Sequence, residues 1–243
     1  MSGLLRSEWT KLRTLRSTWW CSAVHLLVVA AFGWLAAATT SSAPNAEAAV
    51  GVALIGFAFG QVVLVVLGVL AVTGDLGGPM ALASLAAVPR RTRLLAAKTA
   101  VVTVWAALLT ALLAAACVLA ARTLVAVPGG VSAGDPAVLR AVGLQVAGAA
   151  LVTVLGAGLG AVLRSTAGAV GLGLALVFVG PPALALAGGE TASRLSQALP
   201  ALLVGEDAFL AVPTNWPVGL GVALAWAAAA WALGAGLLER RDV

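Results

Sequence analysis

Charge is scarce in these 243 residues. Aspartate, glutamate, lysine and arginine together make up 9%, where an ordinary soluble domain carries about 25%. Hydrophobic residues reach 62%, well above the usual ~45–50%, and mean hydropathy is +1.08. That balance excludes a soluble globular domain, a disordered tail and a free nucleic-acid binder. An integral membrane protein remains. Groups that do chemistry are scarcer still. One histidine, His25, cannot build a zinc centre, and no H-E-x-x-H occurs. Such a lone histidine reads as packed or hydrogen-bonded. The lysines, Lys11 and Lys98, follow no glycine-rich run, so the phosphate-cradling loop G-x-x-x-x-G-K-[ST] is absent. No Ser/His/Asp or Cys/His set shares one depth, and no paired carboxylates lie within an apolar run. The expectation is a chain that is not an enzyme and holds no metal or cofactor.

Cysteine is equally sparse. Cys21 falls near the inner end of the first apolar run and Cys117 near the outer end of the third. A disulfide needs Cα atoms within about 7 Å, and a ~30 Å hydrocarbon core separates these two. Both read as small buried hydrophobes.

What is abundant is apolar length. A helical span takes about 20 mostly apolar residues, and six stretches qualify: residues 18–38, 48–72, 99–121, 141–163, 166–187 and 217–238. Lipid cannot satisfy open backbone groups, so such runs must be helices. The two-residue alternation of a membrane barrel is missing. The expected fold is an all-α integral membrane protein with six transmembrane helices in a single domain, residues 1–243. A cleaved signal is disfavoured. The basic start and Ala36-Ala37-Ala38 fit one, but the first apolar run exceeds the usual 7–15 residues of a signal core.

The few charges set orientation. With both termini inside, the inner segments carry Arg6, Lys11, Arg13, Arg16, Arg90, Arg91, Arg93, Lys98, Arg164, Arg240 and Arg241; the outer ones carry Arg122, Arg140 and Arg194. Lysine and arginine mark cytoplasmic loops, so this bias rejects the inverted topology. The spans hold no Asp, Glu, Lys or Arg away from their ends, which disfavours an ion-driven carrier. Gln61, Gln145, Thr103, Thr110 and Thr153 are the central polar residues, expected to hydrogen-bond between helices rather than to touch a substrate. Glycine concentrates in the fourth and fifth runs, where Gly156 and Gly160 form a G-x-x-x-G. Such a stripe lets helices approach closely, either within this chain or at a dimer face.

Two inner segments carry further information. In residues 1–18, Leu4, Leu5, Trp9, Leu12 and Leu15 recur at near-helical spacing, with Arg6, Lys11 and Arg13 largely opposite. This predicts an amphipathic helix in the interface, with Trp9 at headgroup level and Lys11 and Arg13 toward the polar side. Glu8 and Arg16 interrupt its apolar arc. The second segment, Thr73 to Lys98, reads TGDLGGPMALASLAAVPRRTRLLAAK. Gly74, Gly77 and Gly78 interrupt the outgoing helix, and Pro79 can begin a new one. Met80 to Val88 is too short to cross and too apolar to sit alone in water. It fits an interfacial connector or an element docked in a partner's groove.

The start Glu8-Trp9-Thr10-Lys11-Leu12-Arg13, then Arg16-Ser17-Thr18-Trp19-Trp20, resembles the opening of ABC-2-type permeases, the membrane subunits of bacterial ABC exporters. Val88-Pro89-Arg90-Arg91-Thr92-Arg93 and Ala96-Ala97-Lys98 resemble their segment between helices two and three, and Glu239 to Val243 their short tail. The resemblance implies an amphipathic helix before the first span and a short cytoplasmic coupling helix at about Gly74–Val88. It also implies a dimer with a second copy or paralogue, and two ATPase subunits that bind ATP on the cytoplasmic side. Asp75, Gly78, Pro79, Arg90, Arg91 and Arg93 would then meet the ATPase; Pro79-Met80 stands where the family usually has threonine and a polar or basic residue. The implied place is a bacterial cell membrane.

The last outer loop, Gly188 to Trp216, is too long for an idle turn. It reads as two short amphipathic pieces within Ser193–Phe209, divided by Pro200; the resemblance makes it an exit gate. The expected function is a permease subunit of an ATP-driven exporter, its cargo hydrophobic or amphiphilic. The competing reading is a structural or sensory membrane protein that moves nothing.

Overall fold

The computed structural model describes residues 2–76, 91–200 and 216–240. Helix α1 (Ser2–Thr14) precedes α2 (Arg16–Thr39), α3 (Ala46–Leu54), α4 (Gly56–Leu76) and α5 (Arg91–Leu124). Then come α6 (Pro136–Leu163), α7 (Thr166–Leu174), a π-turn over Ala175–Val179, α8 (Gly180–Ala187), α9 (Glu190–Gln197) and α10 (Trp216–Arg240). No strand forms among the described residues beyond an isolated bridge between Ser42 and Ala126. Six stretches are long and apolar enough to cross a membrane. The chain is therefore an all-α, multi-pass membrane protein.

Helix α2 turns a stripe of mostly small residues inward. On α2 the buried positions are Thr18, Ser22, His25, Val29, Gly33 and Ala37, spaced three or four apart. Trp20, Leu27, Trp34 and Leu35, on its other faces, are exposed, as suits a helix that meets lipid. Between apolar helices in lipid there is little hydrophobic drive, so packing depends on backbone approach. Helix α6, the most buried span, is held this way on two faces. A Cβ on Gly156 would lie 2.5 Å from the Val65 carbonyl oxygen of α4, and one on Gly158 would lie 2.6 Å from Trp231 N of α10.

Two of the six expected runs are interrupted, and a third is extended at both ends. The run 48–72 is broken at Ile55, where the Ile55 N–H donates to Val52 O (3.3 Å) and Ala58 N–H to Ile55 O (3.1 Å). These tighter three-residue bonds reset the helix direction. The cause is tertiary: the Cα of Gly56 presses on the backbone of Val29 so closely that a Cβ would overlap its carbonyl. The run 166–187 is interrupted by the π-turn just before Pro181-Pro182. Those prolines have no N–H to give the preceding turn, and the chain widens there instead. The helix that holds the run 99–121 starts earlier and ends later. At 34 residues and 1.5 Å per residue, α5 is about 50 Å long and projects beyond a ~30 Å core.

One end of the bundle gathers the starts of α2, α5 and α7 and the ends of α4, α6 and α10. Val72, Leu95, Ala161 and Leu238 form a buried cluster there. Lys98 and Arg164 belong to this end, called the basic end below. At the other end, Ala43 N donates to Ala126 O (2.9 Å) and Ala126 N to Ser41 O (3.2 Å), tying two loops together. Beyond α8, Gly188 (φ 68°) and Gly189 (φ 85°) adopt a backbone that β-carbon residues avoid. They stop the span and start α9. The first expected amphipathic piece is this helix, with Glu190 paired to Arg194 one turn on. The second, with Leu202, Leu203, Glu206, Asp207 and Phe209, lies outside the described residues.

Candidate functional site

A polar joint at the basic end is the most unusual feature of the bundle. Glu8 of α1 is buried, although it interrupts an apolar arc in the sequence. Its Oε2 accepts a hydrogen bond from Lys98 Nζ at 2.7 Å, and its Oε1 accepts one from Lys11 Nζ at 2.9 Å. Lys98 is itself 7% exposed. Charged side chains are almost never this buried unless paired. The long-range half of the pair joins residues far apart in sequence and pins α1 to the start of α5.

Aromatic rings pack beside the ions. Trp105 of α5 meets Trp9 edge-on at 5.7 Å and Trp19 at 5.7 Å. Its indole N–H donates to Ser22 Oγ (3.0 Å). Trp19 Nε1 donates to Arg13 O (2.8 Å), closing the corner between α1 and α2. Leu12 is buried in the same face. Under α1 lies a cavity of about 140 Å³ whose walls include Glu8, Leu12, Thr18, Leu67, Gly74, Lys98 and Val101. Around the basic end, Trp231 Nε1 donates to Thr99 Oγ1 (3.2 Å) and Thr166 Oγ1 to Thr73 Oγ1 (2.8 Å).

The residues singled out in the sequence divide into three groups. Trp9 and Lys11 come together in the joint, and Arg13 is exposed at its edge. Arg93 is exposed on the first turn of α5; Asp75 lies in the last turn of α4 and Arg91 begins α5. Gly78, Pro79 and Arg90, with residues 77–88 of the expected coupling element, lie outside the described residues; the start of that element, Gly74–Leu76, continues α4. Gly156 and Gly160 face α4 of the same chain, at Val65 and at Val69 with Thr73.

The central threonines behave differently from expectation. Thr153 Oγ1 donates to Ala149 O of its own helix (2.7 Å) rather than to a neighbour. The hydroxyls of Thr103 and Thr110 are buried without a partner among the described residues. Side-chain bonds between helices are made by Glu8 with Lys98, Ser22 with Trp105, Thr73 with Thr166 and Thr99 with Trp231. His25 is wholly buried, with Nδ1 3.1 Å from Gly60 O. Cys21 and Cys117 are both free thiols.

Sequence reasoning missed the pairing of Glu8 with Lys98. The signal was present, because an acid inside an apolar arc needs a buried cation. Its partner could not be chosen from spacing, since Lys98 lies on another helix.

Six apolar spans packed through glycine, with a charged joint at one end and an apolar interior, define a polytopic helical membrane protein. The family model for ABC-2 family transporter proteins matches residues 4–180, from α1 through the π-turn. The chain belongs to that family and is a permease subunit, the membrane component of an ABC transporter. No curated protein matches the chain significantly.

Proposed function

We propose that this permease works with a separate ATPase subunit docked at the basic end, that the basic end faces the cytoplasm, and that two permease copies or paralogues form the transport path. Hydrolysis belongs to the partner, because this chain has no P-loop for ATP. The single observation that carries the reading is the family match. It is supported by the position of Arg91 and Arg93, which open a rigid helix running the full depth of the bundle. ATP-driven closure of the ATPase pair would push on residues 77–90 and shift the bundle between inner- and outer-open states. A cargo that is hydrophobic or amphiphilic suits walls made mostly of Ala, Val, Leu and Gly. The direction proposed is export, across a bacterial cell membrane.

Two experiments test this. Arg91→Glu and Gly78→Trp, each in the full chain, are expected to cut the turnover of the co-purified ATPase by about ten-fold or more. Unchanged turnover in both variants would place the coupling contact elsewhere. Orientation is read by labelling single cysteines in a Cys21→Ser, Cys117→Ser background. Gly130→Cys is expected to react with an impermeant maleimide in intact cells, and Ser165→Cys only after permeabilisation. The reverse pattern sinks the proposed orientation.

A further inference from the structure

The Glu8–Lys98 pair is more costly than a simple anchor requires. Both side chains are almost fully buried, 6% and 7% exposed, with the charges 2.7 Å apart. Desolvating each ion costs several kcal/mol, and two well-packed apolar residues often hold as firmly without that cost. Leu12 and Trp9 already give α1 apolar contact with the bundle. What the ion pair adds is direction and registry: it fixes one point of α1 to one point of α5.

That point is placed where motion would enter. Lys98 lies about two turns from Arg91, the residue that follows the segment 77–90 directly. Helix α5 runs without a break from Arg91 through Lys98 to Leu124, so a shift at its start reaches Lys98 as a rigid-body movement. The cavity of about 140 Å³, walled by α1, α2, α4 and α5, keeps α1 from packing closely on α4 and breaks the close packing that elsewhere resists displacement. α1 is thus tied firmly to α5 and loosely to α4.

We propose that Glu8 is a positioning residue: it ties α1 to α5 so that the two move as one unit when the ATPase acts on the segment before α5. This rests on the ATPase partnership proposed above. Glu8 touches neither nucleotide nor cargo and acts through Lys98.

The test uses the full chain purified with its co-purifying ATPase and placed in nanodiscs of phosphatidylethanolamine and phosphatidylglycerol. Glu8→Gln keeps the shape and removes the charge. It is expected to lower kcat for MgATP about ten-fold with KM unchanged, and to raise amide exchange across residues 2–14. Lys98→Arg keeps the charge and is expected to retain both wild-type values. A second route avoids any folding defect of Glu8→Gln. In the cysteine-free background, Glu8→Cys with Lys98→Cys is expected to be slow until a short bis-maleimide joins the two sites, and then to recover kcat. Wild-type kcat in Glu8→Gln, equal loss in Lys98→Arg, or no recovery on crosslinking overturns the inference while the ATPase is still bound. Absence of any ATPase from the wild-type preparation overturns the partnership itself, and the inference with it.

Discussion

Leucine in place of Gly156 is expected to destabilise the bundle by about 3 kcal/mol or more, at the upper end of the range for overpacked cores. The first side-chain carbon would lie 2.5 Å from Val65 O, 3.3 Å from Val65 Cα and 3.3 Å from its carbonyl carbon. The obstacle is helix backbone, which cannot rotate away as a side chain can. Nor can α6 retreat. Its other face holds Gly158 against Ala230 and Trp231 of α10, again with no space for a Cβ. The two helices must separate, and the contacts of Val65, Val152 and Leu155, all buried, weaken together. Gly143, on the same helix, has nothing within 4 Å of its virtual Cβ, so Gly143→Leu is the control. Thermal midpoints of the monodisperse fraction in dodecylmaltoside check the pair. A normal midpoint for Gly156→Leu would falsify the close approach of α4 and α6.

Lys98→Met is expected to cost about 3–5 kcal/mol, because it leaves a buried carboxylate without its long-range partner. The loss comes from Glu8, not from the methionine, whose bulk is similar to a lysine stem. Replacing Glu8 with methionine as well removes the uncompensated charge, and an apolar pair of this kind is often as stable as the ionic one. The double variant is therefore expected to regain most of the lost stability. A double-mutant cycle on the same midpoints reads the coupling directly. Additive losses would show that Glu8 and Lys98 are not bonded. Lys11, whose side chain is 44% exposed, keeps its own bond to buried Glu8 in the Lys98 variant, which places the loss toward the lower end of that range.

Much of this architecture is legible in the chain itself, because lipid makes the rules strict. A run such as Ala141–Leu163 has no alternative to a helix, and its place in the bundle follows from Gly156, Gly158 and Gly160, which let neighbours close in. The break at Ile55 is not legible. Gly56 is one glycine among many in the sequence, and what makes it a hinge is the backbone of Val29 on another helix. The π-turn was half legible: Pro181-Pro182 signals a disrupted turn, but not whether the chain kinks, ends or widens. Span limits mark where lipid ends rather than where hydrogen bonding ends. Arg91–Lys98 is too charged for the membrane core yet continues α5 without interruption.

The polar joint divides the same way. Glu8 violates the amphipathic pattern of α1, and the violation is the clue. Charges on an apolar face are retained where something binds them. Lys11 pairs with Glu8 in the joint, and Trp9 packs edge-on against Trp105. Beside the ion pair, serine, threonine and tryptophan make bonds between helices near the basic end, and His25 Nδ1 lies 3.1 Å from Gly60 O of α4. Thr153, deeper in the bundle, reaches its own helix carbonyl one turn back, a partner always within range.

A separate ATPase is expected to power this permease. Affinity purification of the tagged full chain from its native membranes in mild detergent, with the co-purifying proteins identified, tests it most directly. A P-loop ATPase is expected in about equal amount, as befits a subunit whose own sequence lacks the nucleotide-binding loop. Recovery of the chain without any ATPase, repeated after crosslinking in intact membranes, would contradict the account and favour a membrane protein that moves nothing.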